Sequence, residues 1–298
     1  MTRAAAVDIG TNTVLLTIAE RRGDLVLPLC ERARVTRLGA GVDRTRRIAP
    51  DARARTLACL DEYGALIARH DVAEVDAVGT SALRDASADP SFLDQAERAL
   101  GVRPRVVSGA EEATLTFYGS LSGLGASGPV LVFDVGGGST EVVSGTAEGA
   151  IEHAHSLDIG SVRLFERHVR SDPLAPAELS AVRARVRDAL ASVTPPRGAF
   201  QLIGVAGTVT TLAMLARPAE RLHGARLDRA LVEAQAERLA RLPLALRIGL
   251  ANLDPARADV IPVGAAIVSE VLTWSGAAAL TISERGVRWG LIERRLAS

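Results

Sequence analysis

The sequence predicts an α/β protein of two domains, the second built on the plan of the first. Three observations carry that prediction. The stretch Leu131 to Val143, LVFDVGGGSTEVV, reads as strand, tight glycine turn, strand. Ala5 to Leu16, AAVDIGTNTVLL, has the same plan about 126 positions earlier, with Asp8 standing where Asp134 stands later. The chain has 298 residues, 48% hydrophobic and 23% charged, which is enough for two cores.

The elements follow in order. After the first hairpin, Leu25 to Val35 has strand character, and Thr36 to Asp43 is a glycine-punctuated loop. Pro50 opens a helix to about Arg69, with Leu57, Leu60, Gly64 and Ile67 roughly on one stripe. Val75 to Val78 is a short buried strand running into the loop Gly79-Thr80-Ser81-Ala82-Leu83-Arg84-Asp85. Pro90 to Leu100 is a helix and Arg105 to Val107 a strand. Ser108 or Gly109 caps the next helix, whose first turn carries Glu111 and Glu112. A Gly- and Ser-rich hinge, Gly119 to Gly128, sets the domain boundary, giving domains 1–120 and 121–298.

Beyond the central hairpin, a strand spans Ala150 to Leu157, then a turn at 158–163 and two helices, the second from about Ala175 to Val193. Pro195 to Gly198 is a surface break. Gln201-Leu202-Ile203 leads into a third glycine turn, GVAGTVTT from Gly204 to Thr211, which opens an apolar helix. Helices around Arg229 to Arg241 and from Pro255 to Ser275, the strand Leu280 to Ile282, and a last helix over about 285–298 complete the chain.

Composition narrows the function. Aromatics are only 3%, so the cores are aliphatic, and the net charge is zero, which argues against a nucleic-acid-coating surface. All 35 basic residues are arginine, so phosphate contacts must come from Arg, backbone amides or a metal. Cys30 and Cys59 form no disulfide framework or metal knuckle. The chain enters its first strand directly and has no apolar run long enough to span a membrane, so a cytoplasmic protein is expected.

The turns are where chemistry is expected. Three consecutive glycines, Gly136, Gly137 and Gly138, let an anion approach bare N–H groups, and Gly10 with Thr11 and Asn12 repeats the opportunity. Ser139, Thr11 and Thr208, beside Gly207, offer hydroxyls; none has a paired His base, so they read as phosphate binders. Asp134 and Glu141 are expected at the solvent-facing rims of the second turn, and Asp8 flanks the first. Either aspartate alone can simply cap its turn; together the carboxylates suit Mg²⁺ or Mn²⁺ beside phosphate. Arg84, just past a strand end, is the best phosphate cation, since its guanidinium can bond two oxygens at once. The duplication suggests a phosphate cleft between the two copies.

Five motifs in this order, DIGTNTVLL, GTSALRD, SGAEEA, DVGGGSTE and GVAGTVTTLA, resemble the exopolyphosphatase and guanosine pentaphosphate phosphohydrolase family. The resemblance runs from about Ala4 to the end. It implies two actin-like (ribonuclease H-like) domains with mixed sheets flanked by helices, and a last helix that crosses back onto the first domain. It also implies that Glu112 is the catalytic glutamate, whose first-turn position is otherwise an ordinary helix-dipole arrangement. The implied substrate is inorganic polyphosphate or guanosine pentaphosphate, with Mg²⁺; no nucleic acid or membrane partner is expected, and a second copy of the chain is a candidate partner. Longer family members append helical domains, so a preference for short polyphosphate is expected here. Ala206 stands where many relatives have glycine. A small-molecule kinase and a non-catalytic alarmone sensor are the competing readings; Glu112 argues against the sensor and the SGAEEA helix start against the kinase.

Overall fold

The structure is a computed structural model describing residues 2–23, 25–72, 74–87, 89–216 and 222–296. The chain divides into two compact units, Met1–Ser122 with Val287–Ser298, and Gly123–Gly286. In unit 1, β1 (Arg3–Ile9), β2 (Thr13–Arg22) and β3 (Leu25–Val35) are followed by α1 (Val42–Thr45) and α2 (Pro50–Arg69). Then come β4 (Glu74–Gly79), α3 (Ser81–Asp85), α4 (Pro90–Leu100), β5 (Arg105–Val106) and α5 (Gly109–Leu121). The sheet order is β3-β2-β1-β4-β5, antiparallel across β3, β2 and β1 and parallel from β1 onward.

β1 shows why the sheet is sandwiched. Ala5, Val7 and Ile9 on one face join a core with Leu60 and Phe92 from α2 and α4. Ala4 and Ala6 on the other meet Leu115 of α5 and Trp289 and Leu291 near the chain end. Two buried faces make the strand a continuous apolar run rather than an alternating one.

Unit 2 contains β6 (Pro129–Val135), β7 (Thr140–Thr146), β8 (Ile151–Leu157), α6 (Ser161–His168), α7 (Pro176–Leu190), β9 (Gln201–Val205) and α8 (Ala206–Ala216). It continues with β10 (Arg226–Asp228), α9 (Arg229–Arg241), α10 (Leu244–Ile248), α11 (Ile261–Ser275) and β11 (Ala279–Ile282). Its sheet order, β10-β11-β9-β6-β7-β8, contains the order of unit 1 with one strand added at the edge. Leu131, Phe133 and Val135 of β6 pack into a core that α11 crosses almost wholly buried. The final helix, α12 (Val287–Leu296), belongs to unit 1; residues 297–298 of the helix expected there lie outside the described residues.

Four local expectations differ. The 79–85 loop is helical from Ser81, because buried Leu83 folds back into the unit 1 core and over Gly79. Gly119 lies inside α5, and the break between units falls after Ser122. The helix expected from Pro255 starts as a 3₁₀ turn, Pro255–Arg257, and α11 begins at Ile261. The short elements α1, β10 and α10 were not anticipated from the sequence.

Candidate active site

Both hairpin turns close in the same way. Gly10 N–H donates to the Thr13 carbonyl and Gly136 N–H to the Ser139 carbonyl, each at 3.0 Å. In the first turn, the Thr11 carbonyl accepts from Gly39 N–H at 2.8 Å, and the Asn12 carbonyl accepts from Thr36 and Arg37 N–H at 3.0 Å. In the second, the Gly136 carbonyl accepts from Ser161 N–H at 3.0 Å and that of Gly137 from Val162 and Arg163 N–H at 2.9 and 3.0 Å. The Gly138 carbonyl accepts from Arg163 Nε at 2.6 Å. The acceptors of each turn are thus held by the segment after the third strand of the same unit. Among the described residues, no protein acceptor takes the N–H groups of Thr11, Asn12, Gly137, Gly138 or Ser139. Successive unclaimed N–H groups form a concavity that suits an anion. Thr11 adds a buried Oγ1 with no hydrogen-bond partner among the described residues.

The carboxylates differ between the turns. Asp8 pairs in register with Leu15, whereas Asp134 pairs with Glu141. Cross-strand partners share a face, so unit 2 carries two carboxylates where unit 1 carries one. Glu141 was expected at a solvent-facing rim, but it is 1% exposed, and its Oε1 accepts from Ser156 Oγ at 2.7 Å. It lies on the inner run of β7, which β8 covers. Asp134 is half-buried. Among the described residues, no three His, Cys, Asp or Glu side chains gather into a metal-holding cluster. The Asp134–Glu141 pair is a hard oxygen donor set that fits an ion keeping water and phosphate oxygens as its other ligands, the habit of Mg²⁺.

Glu112 stands in the first turn of α5, where Ser108 caps the helix by accepting from Glu111 N–H at 3.1 Å. Arg84 Nη1 donates to Glu112 Oε2 at 2.5 Å and to the Val107 carbonyl at 3.1 Å. Burial pushes the Glu112 carboxyl above its ordinary range, against the pull of the Arg84 charge and hydrogen bond and of the Thr80 hydroxyl. Arg84, expected to face phosphate, therefore spends one nitrogen on the carboxylate. A charge-assisted bond of this length holds both side chains in place.

The third turn begins α8 directly. Ala206 takes φ +71°, a left-handed conformation costing roughly 1–2 kcal/mol for a residue with a Cβ. Thr208 is buried, with Oγ1 3.5 Å from the Val135 carbonyl, the last residue before the second turn. A side chain at Gly207 would collide with the Arg257 guanidinium, so this arginine lies against the helix start.

A family model described as the Ppx/GppA phosphatase family matches residues 17–298. The chain belongs to this family. Exopolyphosphatase 2 of Mycobacterium tuberculosis is 38% identical to it, over 98% of each chain. Among solved structures, the Aquifex aeolicus member of the Ppx/GppA family is 30% identical, covers 99% of this chain and 98% of its own, and has a TM-score of 0.84. An exopolyphosphatase from Cytophaga hutchinsonii is 27% identical, with 99% and 98% coverage and a TM-score of 0.90. The α/β class read from the sequence, two mixed sheets flanked by helices, is the one this Ppx/GppA protein has, and membership makes it a phosphoanhydride hydrolase.

Two features escaped the sequence reading. Arg257 was placed inside a continuous helix, and nothing in the local pattern brings it to Gly207. The loop and helix that grip the turn carbonyls were also invisible, because those contacts link segments about 25 residues apart. A glycine gave a partial signal: Gly160, just before α6, presses so closely on Gly137 and Gly138 that no side chain fits between them.

Proposed function

We propose that this protein releases terminal phosphate from inorganic polyphosphate by attack of water, assisted by Mg²⁺. The observation that carries the reading is the repeated turn: each unit offers N–H groups without protein acceptors on a hairpin whose carbonyls are tied down. Such donors stabilise developing negative charge without having to reorganise. Gly10, Thr11, Asn12, Gly136, Gly137, Gly138, Ser139, Gly207 and Thr208 bind phosphate oxygens in this reading. Asp134 and Glu141 would hold the ion, which when bound would neutralise charge on the phosphoryl oxygens, and Asp8 is the corresponding carboxylate of the first turn. Glu112 takes the proton from water as its oxygen bonds to phosphorus and the bridging P–O bond breaks. Arg84 orients Glu112 and turns its remaining nitrogens to phosphate.

No helix among the described residues is long and apolar enough to cross a membrane. The test is phosphate release from tripolyphosphate, longer polyphosphate, guanosine pentaphosphate and ATP, with and without Mg²⁺. Release from polyphosphate that requires the metal supports the reading. Release only from guanosine pentaphosphate would replace the substrate, and metal-independent release would remove the ion.

A further inference from the structure

We propose that the arginine-rich segment Arg37 to Arg47 is an outer anion site on unit 1, taking internal phosphates of an extended polyphosphate whose end lies at the first turn. The inference rests on the polyphosphate reading above and adds a location and a length dependence to it. Residues 37–47 hold four arginines against one aspartate, in a chain whose net charge is zero, whereas Arg34, Arg53 and Arg55 on the flanking elements pair with Glu62, Asp89 and Asp51. A local excess of positive charge attracts a polyanion.

This charge is built against the turn rather than scattered over the surface. Thr36 and Arg37 N–H bond the Asn12 carbonyl, and Gly39 N–H bonds that of Thr11. Gly39 is wedged: a side chain there would collide with Thr11 Cγ2 and sit 3.2 Å from Ala82 Cβ on α3. The segment therefore lies on both the first turn and the helix that carries Arg84. It is also held in shape. Thr45 Oγ1 donates to the Gly41 carbonyl at 2.9 Å, Arg46 N–H donates to the Val42 carbonyl at 2.8 Å, and Arg46 Nη1 pairs with Asp85 at 2.9 Å.

Arg37 (φ +54°) adopts the left-handed backbone that disfavours any side chain, and Arg46 (φ +56°) adopts it as the cap that ends α1. Strain of this kind persists where surroundings over-determine it and collects at ligand sites. Arg44, Arg46 and Arg47 are exposed, and among the described residues neither Arg44 nor Arg47 has an acidic partner. No aromatic residue occurs between Leu25 and Glu62, so the segment offers phosphates a contact but nucleobases no stacking platform.

The experiment removes the two unpaired charges with R44Q/R47Q and compares it with R238Q/R241Q, which takes the same charge from α9 of unit 2. Steady-state hydrolysis and equilibrium binding are measured for tripolyphosphate and for a long linear polyphosphate over a range of salt. The expected result for R44Q/R47Q is a KM and Kd for the long chain raised by about threefold to tenfold, the yield of two exposed ionic contacts. Its salt dependence should flatten, while kcat and all tripolyphosphate values stay at the parent level and the unit 2 control changes nothing. Equal effects on both substrates, no effect on either, or the same loss in the control would overturn the outer site. A parent that hydrolyses guanosine pentaphosphate but neither polyphosphate would overturn the proposed function itself.

Discussion

The two hairpin turns share one backbone plan and differ in what surrounds it. Each closes with a single Gly N–H bond and has its carbonyls held by the segment after the third strand. In unit 1 that segment is the largely buried stretch Thr36 to Gly39, which leads into the exposed Arg44, Arg46 and Arg47, and the register partner of the aspartate is Leu15. In unit 2 it is the start of α6 with buried Arg163, and the register partner is Glu141. Backbone geometry thus explains what the turns have in common, an anion-binding concavity, and the side chains explain the division of labour. In the proposed reaction Glu112 of unit 1 would activate water, and Asp134 and Glu141 of unit 2 would hold the ion.

The largest expected effect comes from erasing the difference in register partner. Glu141→Leu gives the second hairpin the side chain that the first already has. Leucine suits the buried position, so the fold should survive, while kcat with Mg²⁺ should fall by the several kcal/mol that metal charge neutralisation supplies. Circular dichroism and a Mg²⁺ titration of turnover check this. Normal turnover with the parent's metal dependence would remove Glu141 from the ion site.

A smaller effect is expected from loosening each grip. At Gly160 a methyl group meets the backbone of Gly137 and Gly138, whereas at Gly39 it meets the side chains of Thr11 and Ala82. Backbone yields less than side chains do. Gly160→Ala should therefore lower Tm and raise KM more than Gly39→Ala does, with a stability loss of about 1–3 kcal/mol for the overpacked site. Equal shifts in both would mean that the second turn is not clamped as described.

The smallest effect is a displaced pH profile. A base at Glu112 would have to be ionised, and burial raises its pKa, so the acid limb of kcat/KM should lie above the ordinary carboxylate value of about 4.3. The Arg84 charge pulls that pKa down. Arg84→Gln should therefore shift the acid limb to higher pH, so that lost activity returns in part as pH rises. An unmoved limb would mean that Arg84 acts on phosphate alone.

How far these features could be read in advance follows from their range in sequence. The strands other than β10, the turns and the Ser108 cap are written in short patterns of apolar, glycine and hydroxyl residues, and they appear where the patterns place them. α3 and the 3₁₀ turn at Arg257 depend on packing: Leu83 must find the core, and Arg257 must find Gly207. The Arg84–Glu112 bond joins residues 28 apart, so each looked like a separate candidate until the fold brought them together.

The central claim is that Glu112 activates water while the turns bind phosphate, and Glu112→Gln tests it most directly. The amide keeps the shape of the carboxylate and can still hydrogen-bond, but it cannot accept the proton. Single-turnover phosphate release and equilibrium binding of a short polyphosphate should be measured on the same preparation. The account predicts near-parent binding and a chemical step slowed by roughly 10²–10⁴-fold, the range of general-base contributions. Release within a few-fold of the parent rate would contradict it, and Glu111 would become the next carboxylate to test.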